Sequence, residues 1–193
     1  MVQDVYLIRH GQSTFNAAYE ASGVDPMHFD ARLSQRGAGQ IAGAREAALD
    51  LGVDLVVASP LTRALQTATG LFHGAAVPIV VSNIHIERLE HSCDVGRTAA
   101  VLSDEYPSLD FAHLEDRWWH LGENGEGGFA VEPEPVFMDR VAVFSQWISS
   151  RPEPVVAVVG HGEFFQRLTG RYMDNCEIMH WATDALEPEI EEQ

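Results

Sequence analysis

The chain has 193 residues and a formal charge of −17, which comes from 29 acidic residues against 12 basic ones, all of them arginine. The lack of lysine excludes a P-loop lysine and a Schiff-base lysine, and the acidic surface argues against nucleic acid as a partner. Since 46% of the residues are hydrophobic and no apolar run approaches the ~20 residues of a membrane span, we expect one globular domain that does not enter membranes.

The first predicted elements are a buried strand and a long helix. Val5–Ile8 is a short apolar run without strict alternation, which is typical of a strand covered on both faces of a sheet. Ser34 is then the expected N-cap of a helix that Gly52 ends, because serine accepts bonds from the first turn and glycine tolerates the left-handed conformation beyond the last.

The next elements repeat this alternation. Val53–Ala58 is the second predicted strand, and a helix follows it with Ser59 as the expected N-cap and Pro60 at the first helical position. Val77–Val81 is the third predicted strand and has the same apolar character as the first two. Strands that alternate with helices in this way indicate a largely parallel sheet.

The segment 82–134 breaks the alternation, because it is rich in acidic, aromatic and glycine residues. We interpret it as an insertion or cap within a single domain, with a helix near Thr98–Glu105. A helix over Val136–Ser150, a strand at Val155–Val159 and a helix opening at Gly162 complete the pattern, and the acidic C-terminal run EPEIEEQ is expected to be frayed. The predicted fold is a three-layer α/β/α sandwich with a mostly parallel central sheet.

Cationic or titratable residues follow three of the predicted strands. Arg9 and His10 follow the first, Arg63 lies in the first turns of the helix after the second, and His161 and Gly162 follow the last. The carboxyl ends of parallel strands meet at one edge of the sheet, where ligands bind in open α/β folds. Arginine forks, helix N-termini and glycine backbones that an anion can approach closely all suit phosphate oxygens, so this edge is a predicted phosphoryl site.

The same residues provide for chemistry. His10 is the candidate nucleophile, since a neutral imidazole can attack phosphorus and divide the transfer into two easier steps. Arg9, Arg63 and a protonated His161 would stabilise the transferred charge without a metal. The leaving oxygen needs a proton, which a carboxylic acid of raised pKa can supply. The carboxylates near the insertion are Glu87, Glu90 and Asp94.

Four sequence blocks resemble the histidine phosphatase (phosphoglycerate mutase-like) superfamily, and they occur in that family's order. They are LIRHGQSTFN, LSQRGAGQ, SPLTRALQTA and VVGHG, and the resemblance covers nearly the whole chain. It implies a phosphohistidine on His10. It also implies that Glu87 is the acid, although Glu90 remains a rival because the surrounding sequence departs from the family's usual pattern. The residues that the resemblance places around the phosphate are Arg9, Asn16, Arg63 and His161.

The predicted function is a metal-independent phosphatase that hydrolyses small phosphate monoesters without a cofactor. Two alternatives remain: phosphoryl transfer of the phosphoglycerate mutase type, and a non-catalytic phosphate-binding module. A metal site formed by His10, His161 and Glu87 is disfavoured, because two neighbouring arginines would repel a cation. Specificity is expected to come from the insertion.

Several further residues carry weaker expectations. Cys93 and Cys176 fit no zinc spacing and no disulfide framework, so reduced structural thiols are expected. One of the neighbouring tryptophans Trp118 and Trp119 is expected in the core and the other at a substrate cleft, and Arg97 is a candidate for a substrate anion. The N-terminus has no basic region before its short apolar run, so we expect no signal peptide and a cytoplasmic protein.

Overall fold

A computed structural model describes residues 4–181, and the acidic run EPEIEEQ lies outside them. The strands are β1 (Asp4–Arg9), β2 (Leu55–Ala58), β3 (Ile79–Val81), β4 (Val155–Gly160) and β5 (Ile178–Trp181). The helices are α1 (Thr14–Ser22), α2 (Gln35–Asp50), α3 (Thr62–Leu71), α4 (Ala99–Glu105), α5 (Glu134–Ser149) and α6 (Gly162–Thr169), with a short 3-10 turn at Ser92–Asp94.

The five strands form one sheet in the order β3-β2-β4-β1-β5. Its first four strands are parallel, and β5 pairs with β1 in the antiparallel sense at the edge. This confirms the mostly parallel α/β sheet, whereas β5 was not predicted because Ile178–Trp181 includes the exposed polar His180 and so does not form a continuous apolar run. Since β4 lies between β2 and β1, the carboxyl ends of these three strands are neighbours at the centre of the sheet.

Successive strand residues pack into two separate cores. In β2, Val56 and Ala58 contact one core, whereas Leu55 and Val57 contact the other. Helices α2 and α3 cover the first core, and α5 and α6 cover the second. Because side chains alternate between the faces of a strand, a continuous valine-rich run supplies both cores. The three-layer α/β/α arrangement is therefore confirmed.

The predicted boundaries agree closely with the structure except at the start of some strands. Ser34 accepts a hydrogen bond from the Gly37 N–H at 3.0 Å, and Gly52 has a positive φ of 61°, as a helix start and stop require. β3 begins at Ile79 rather than at Val77, because the intervening Pro78 has no N–H to contribute to the sheet.

The predicted start of α3 was wrong. The helix begins at Thr62 with Leu61 as N-cap, and the Ser59 side chain does not cap it. The Ser59 hydroxyl instead lies 2.7 Å from Nε2 of His161. The first turn is held from outside by Asp30, whose carboxylate accepts the Thr62 N–H at 2.8 Å and the Thr62 hydroxyl. A long-range carboxylate thus takes the place that a local serine normally occupies.

Asp30→Asn is expected to lower the free energy of unfolding by about 2–4 kcal/mol, measured by urea denaturation. Asp30 is buried and also accepts from Nε of Arg97 at 2.7 Å, so the change removes the charge from a buried ion pair. Asparagine adopts a positive φ as readily as aspartate, so the φ of 40° at this position adds no backbone strain to the loss of stability. The matched control is Asp139→Asn, which changes an exposed residue of α5 and is expected to leave stability within about 0.5 kcal/mol.

The predicted insertion follows β3 and contains the 3-10 turn and α4, whose N-cap is Thr98. Trp118 is buried in the first core and its Nε1 donates to the Arg97 carbonyl at 2.9 Å, so it is the core member of the tryptophan pair. Within residues 4–181, no helix is long and apolar enough to cross a bilayer.

Candidate active site

The carboxyl ends of the central strands bring the predicted residues together. His10 follows β1, His161 follows β4, and Arg63 is the second residue of α3. The His10 N–H donates to the Gly160 carbonyl at 3.0 Å, and the rings of the two histidines lie 5.3 Å apart between centroids. A cavity of about 120 Å³, called the central pocket here, is lined by Arg9, His10, Phe15, Asn16, Arg63, Glu87, Arg88, Glu90, His91, Cys93, Asp94 and Glu163.

The imidazole of His10 is held as one tautomer. Its Nδ1 lies 2.7 Å from the Gly11 carbonyl, which can only accept, so Nδ1 carries the proton. Its Nε2 lies 3.2 Å from Nε of Arg63, which can only donate, so Nε2 presents a lone pair. Burial, followed by the charges of Arg63 and Arg9, lowers the pKa of His10 well below 6.5. The ring is therefore neutral at pH 7 and keeps its nucleophilic nitrogen.

His161 is also neutral in this arrangement, contrary to the protonated form that we expected. Burial lowers its pKa well below 6.5, and the charge of Arg63 adds to this effect. The Ser59 hydroxyl accepts from the Leu61 N–H at 3.4 Å and lies 2.7 Å from Nε2 of His161, to which a hydroxyl can either donate or accept. When the hydroxyl donates, the ring proton lies on Nδ1, which is buried without a partner among residues 4–181. In that tautomer a neutral His161 can still donate to an anion.

One nitrogen of the Arg9 guanidinium is bonded to protein groups, and another has no protein partner among the described residues. One terminal nitrogen donates to the Tyr172 hydroxyl at 2.7 Å and to the Met173 carbonyl at 2.6 Å. Its Nε is buried and has no partner within the described chain. A Cβ on Gly162 would lie 3.0 Å from this Nε and 3.1 Å from Cζ, so the guanidinium packs directly on the glycine backbone. Glycine at position 162 therefore allows Arg9 to reach the pocket.

Gly162→Ala is expected to lower kcat/KM for a phosphate ester about 10- to 100-fold, because the new methyl group displaces the Arg9 guanidinium. The matched control is Gly39→Ala on α2, where an added Cβ meets nothing within 4 Å. Gly39→Ala should leave activity unchanged and stabilise the helix by about 0.5–1 kcal/mol. Equal activity in the two variants would contradict the role given to Gly162.

Each of the three guanidinium nitrogens of Arg63 donates to a protein group. Beside the contact to His10, its terminal nitrogens donate to the Cys93 carbonyl at 2.6 Å and to Oδ1 of Asp94 at 2.8 Å. Both side chains of the Arg63–Asp94 pair are only 3% exposed. From the sequence, Asp94 was one of three carboxylates near the insertion that could supply a proton, and its contact with Arg63 was not predicted. Nothing local marks it, since it lies in an irregular segment without hydrophobic periodicity.

Glu87 lines the central pocket beside the N-terminus of α6. Its carboxylate accepts the N–H groups of Glu163 at 3.1 Å and Phe164 at 2.9 Å, at the N-terminus of α6. Burial and, after it, the charge of the nearby Asp94 raise the pKa of Glu87 to about 7. The charge of Arg63 and the two backbone N–H bonds act in the opposite direction. The rival Glu90 is exposed at the rim of the same pocket. Glu87 is therefore the better placed carboxyl, although its role as the acid remains a prediction.

The N-terminus of α6 keeps one N–H for a ligand. Glu87 takes the N–H groups of the second and third helical residues, and among the described residues the N–H of Gly162 has no acceptor. Asn16 also lines the pocket, but its Oδ1 accepts the N–H and hydroxyl of Ser13, both at 3.0 Å, in the capping box of α1. Only the amide nitrogen of Asn16 is left to donate to a phosphate oxygen.

Arg97 does not reach the central pocket, which corrects the expectation that it binds a substrate anion. Its guanidinium bonds to Asp30 and Glu105, both at 2.7 Å, and to the Thr62 hydroxyl. Trp119 instead lines a second cavity of about 520 Å³, together with Phe29 and Phe129. This cavity belongs largely to the predicted insertion and shares no lining residue with the central pocket.

The remaining expectations concern thiols and metals. Cys93 and Cys176 are both free, as expected of reduced thiols. Burial raises the pKa of the Cys176 thiol to about 11, so it is protonated at pH 7. Residues 4–181 contain no cluster of three or more histidine, cysteine or acidic side chains that could hold a metal ion.

The structure defines an α/β protein in which Arg9, His10, Arg63 and His161 lie together at the carboxyl ends of the central strands. The family model of the histidine phosphatase superfamily (branch 1) matches residues 5–186. The chain therefore belongs to the histidine phosphatase superfamily, and the resemblance of its four sequence blocks is confirmed.

Curated relatives include mutase-like proteins and phosphatases. A phosphoglycerate mutase-like protein of Arabidopsis thaliana is 27% identical over 213 residues, which cover 89% of this chain and 75% of the relative. A glucosyl-3-phosphoglycerate phosphatase of Mycobacterium tuberculosis is 30% identical over 179 residues, which cover 91% of this chain and 77% of the relative. These phosphatase relatives support an enzyme of the phosphatase type.

Solved structures of phosphatases share the fold. The alpha-ribazole phosphatase of Shigella flexneri superposes with a TM-score of 0.64 at 19% identity, covering 92% of this chain and 89% of that one. A mycobacterial glucosyl-3-phosphoglycerate phosphatase in complex with VO3 has a TM-score of 0.60 at 22% identity, covering 93% of this chain and 92% of that one.

Proposed function

We propose that the protein is a metal-independent phosphatase that hydrolyses small phosphate monoesters through a phosphohistidine on His10. The observation that carries this proposal is the tautomer of His10: a neutral ring whose Nε2 lone pair faces Arg63 inside a pocket that also holds Glu87. A site that only bound phosphate would need neither a nucleophilic nitrogen nor a carboxyl with a pKa of about 7.

The first step is binding of the phosphoryl group. Its oxygens would accept from Nε of Arg9 and Nδ1 of His161, two buried nitrogens that have no partner among residues 4–181. Leaving such groups unpaired costs about 1–3 kcal/mol each, which a bound anion would recover. The Gly162 N–H at the start of α6 would add a further donor.

In the second step, Nε2 of His10 forms a bond to phosphorus while the bond to the leaving oxygen breaks. The lone pair of Nε2 is consumed, so the Nε–H of Arg63 loses its acceptor and, without moving, would donate to an oxygen of the phosphoryl group now bonded to that nitrogen. Arg63 would therefore bind the transferring group better than the free substrate, which lowers the barrier. The Gly11 carbonyl, bonded to Nδ1–H, would stabilise the positive charge that develops on the ring.

Glu87 would supply the proton to the leaving oxygen and become a carboxylate. In the third step that carboxylate would take a proton from water, whose oxygen then attacks phosphorus and restores neutral His10 and inorganic phosphate. A pKa of about 7 lets one group perform both tasks near neutral pH. Glu90 is exposed and has no comparable contact with a helix N-terminus.

The substrate class follows from the pocket and the relatives. A cavity of about 120 Å³ holds one phosphoryl group and the first atoms of an alcohol, so small monoesters fit. Relatives named as glucosyl-3-phosphoglycerate phosphatases support a phosphorylated small molecule as the substrate. The strongly acidic chain would attract highly charged esters poorly at long range.

A mutase is the alternative that the mutase-like relatives favour. The deciding experiment measures hydrolysis of p-nitrophenyl phosphate in EDTA and, in parallel, interconversion of 2- and 3-phosphoglycerate with and without bisphosphoglycerate. Metal-independent hydrolysis without interconversion is expected. Interconversion that exceeds hydrolysis would favour the mutase, and phosphate binding without either activity would leave a binding module.

A further inference from the structure

Asp94 is an unusual group to find in a pocket that receives an anion. It is buried against Arg63 with an N–O distance of 2.8 Å, and it lines the central pocket. A carboxylate there repels a phosphoryl group and takes an N–H that could otherwise bind it. A buried charge pair of this kind adds little stability on average, because desolvation offsets the attraction, so its presence calls for another reason.

The contacts of Asp94 show what it controls. Arg63 has five N–H donors. The contacts with His10, Cys93 and Asp94 use three of them, one on each nitrogen. With both terminal nitrogens held, the guanidinium plane cannot rotate, and its Nε–H is fixed towards Nε2 of His10. Two N–H groups remain for a phosphoryl oxygen.

We propose that Asp94 is a positioning residue that fixes the Arg63 guanidinium against His10 and keeps the positive charge of the pocket low enough for phosphate to leave. This inference rests on the proposed function, because it assigns Arg63 to the phosphoryl group. It predicts that the charge of Asp94, more than its size, affects the reaction.

Asp94 also faces Glu87, and its carboxylate raises the pKa of that group. The charged and titratable groups around Glu87 come from several parts of the fold. Asp94 and Cys93 lie in the 3-10 turn, Arg63 lies on α3, Arg9 ends β1 and His10 follows it. Glu163 lies on α6, Glu90 lines the same pocket, Arg88 lies 3.6 Å from Glu163, and Arg140 donates to the Glu87 carbonyl. Among these carboxylates it is Asp94 that raises the pKa of Glu87, so removing its charge should make Glu87 a stronger acid.

A purely structural role for Asp94 needs a matched control. Oδ2 of Asp94 also accepts the His91 N–H at 3.1 Å and so helps to close the 3-10 turn. Asp25 supports the same turn without contacting Arg63, since its carboxylate accepts the Ser92 N–H at 2.8 Å and the Ser92 hydroxyl at 2.5 Å. Asp25→Asn therefore loosens the turn but leaves the charge beside Arg63 unchanged.

The experiment compares wild type, Asp94→Asn and Asp25→Asn in two assays. The first is the pH profile of kcat/KM for an alkyl phosphate, and the second is binding of dilute monomeric vanadate by calorimetry at pH 8, with thermal unfolding as the measure of folding. In D94N we expect the alkaline fall of kcat/KM to begin at lower pH and vanadate to bind about 3- to 10-fold more tightly. In D25N we expect both quantities to match wild type, apart from a lower unfolding temperature.

Each outcome decides the proposal. A D94N protein that matches wild type or D25N in both assays overturns it, as does weaker vanadate binding. A D94N chain that fails to fold beside a folded D25N would assign Asp94 to the structure of the turn and overturn it too. If wild type hydrolyses nothing, the proposed function fails, while the vanadate assay still tests the charge effect of Asp94 separately.

Discussion

Replacing His10 with alanine is expected to lower phosphatase activity at least about 10⁴-fold, because it removes the proposed nucleophile, the neutral imidazole whose Nε2 faces Arg63 in the central pocket. Water attacking directly would have to supply the residual rate. The measurement is hydrolysis of p-nitrophenyl phosphate in EDTA at pH 6. The expected loss is in kcat, since Arg9 and His161 still bind the phosphoryl group.

Detection of the phosphohistidine intermediate is a second test of the His10→Ala variant. Wild type that is mixed with labelled substrate and quenched in base should carry label on histidine, since a phosphoramidate survives base and is lost in acid. H10A should carry none. The matched control is His73→Ala, an exposed histidine beyond α3, which should keep both the label and the activity. Activity in H10A within about tenfold of wild type would assign the attack to water and end the phosphohistidine proposal.

The positions of the principal side chains could be predicted because they depend on local features. Arg9, His10 and His161 each follow a short apolar strand, and the parallel order of β1 and β4 brings those strand ends together without further information. Arg63 follows from its place one residue into α3, which points it back over the end of β2. Short motifs at strand ends therefore specify this part of the site.

The partners of these side chains could not be predicted, because they come from distant segments. Ser59 is a residue type preferred at helix N-caps and precedes a predicted helix, but its hydroxyl bonds to His161, which is 102 residues away. Local preference favours the cap by only about 1 kcal/mol, and a contact with a buried histidine exceeds this. Asp94 and Tyr172 lie in segments without regular periodicity, so their contacts with Arg63 and Arg9 have no local signal.

The predicted positive charge on His161 was wrong for a similar reason, because protonation depends on contacts that the sequence does not show. A phosphate site suggests a protonated histidine when only residue types are considered. Burial lowers the pKa of this ring, so a neutral imidazole whose Nε2 lies 2.7 Å from the Ser59 hydroxyl replaces a charged one. Protonation states depend on burial and on neighbouring charges, which the sequence does not contain explicitly.

Replacing Glu87 with glutamine is expected to lower kcat about 10²- to 10⁴-fold for an alkyl phosphate, because glutamine cannot protonate the leaving oxygen. The loss should be much smaller for p-nitrophenyl phosphate, whose leaving group departs without a proton. This dependence on the leaving group separates a lost acid from a disturbed pocket, since a disturbed pocket would slow both substrates equally. The matched control is Glu90→Gln, which removes the rival carboxyl at the rim and should retain both activities.

The pH profile tests the same assignment independently. Glu87 must be protonated in the step that kcat/KM reports, and its pKa is raised to about 7, so kcat/KM for an alkyl phosphate should fall as the pH rises through about 7. The pKa of His10 is lowered well below 6.5, so the loss on the acid side, where the nucleophile gains a proton, should lie far below that value. E87Q should lose the alkaline fall and keep the acid one. An alkaline fall that persists in E87Q and disappears in E90Q would transfer the role of general acid to Glu90.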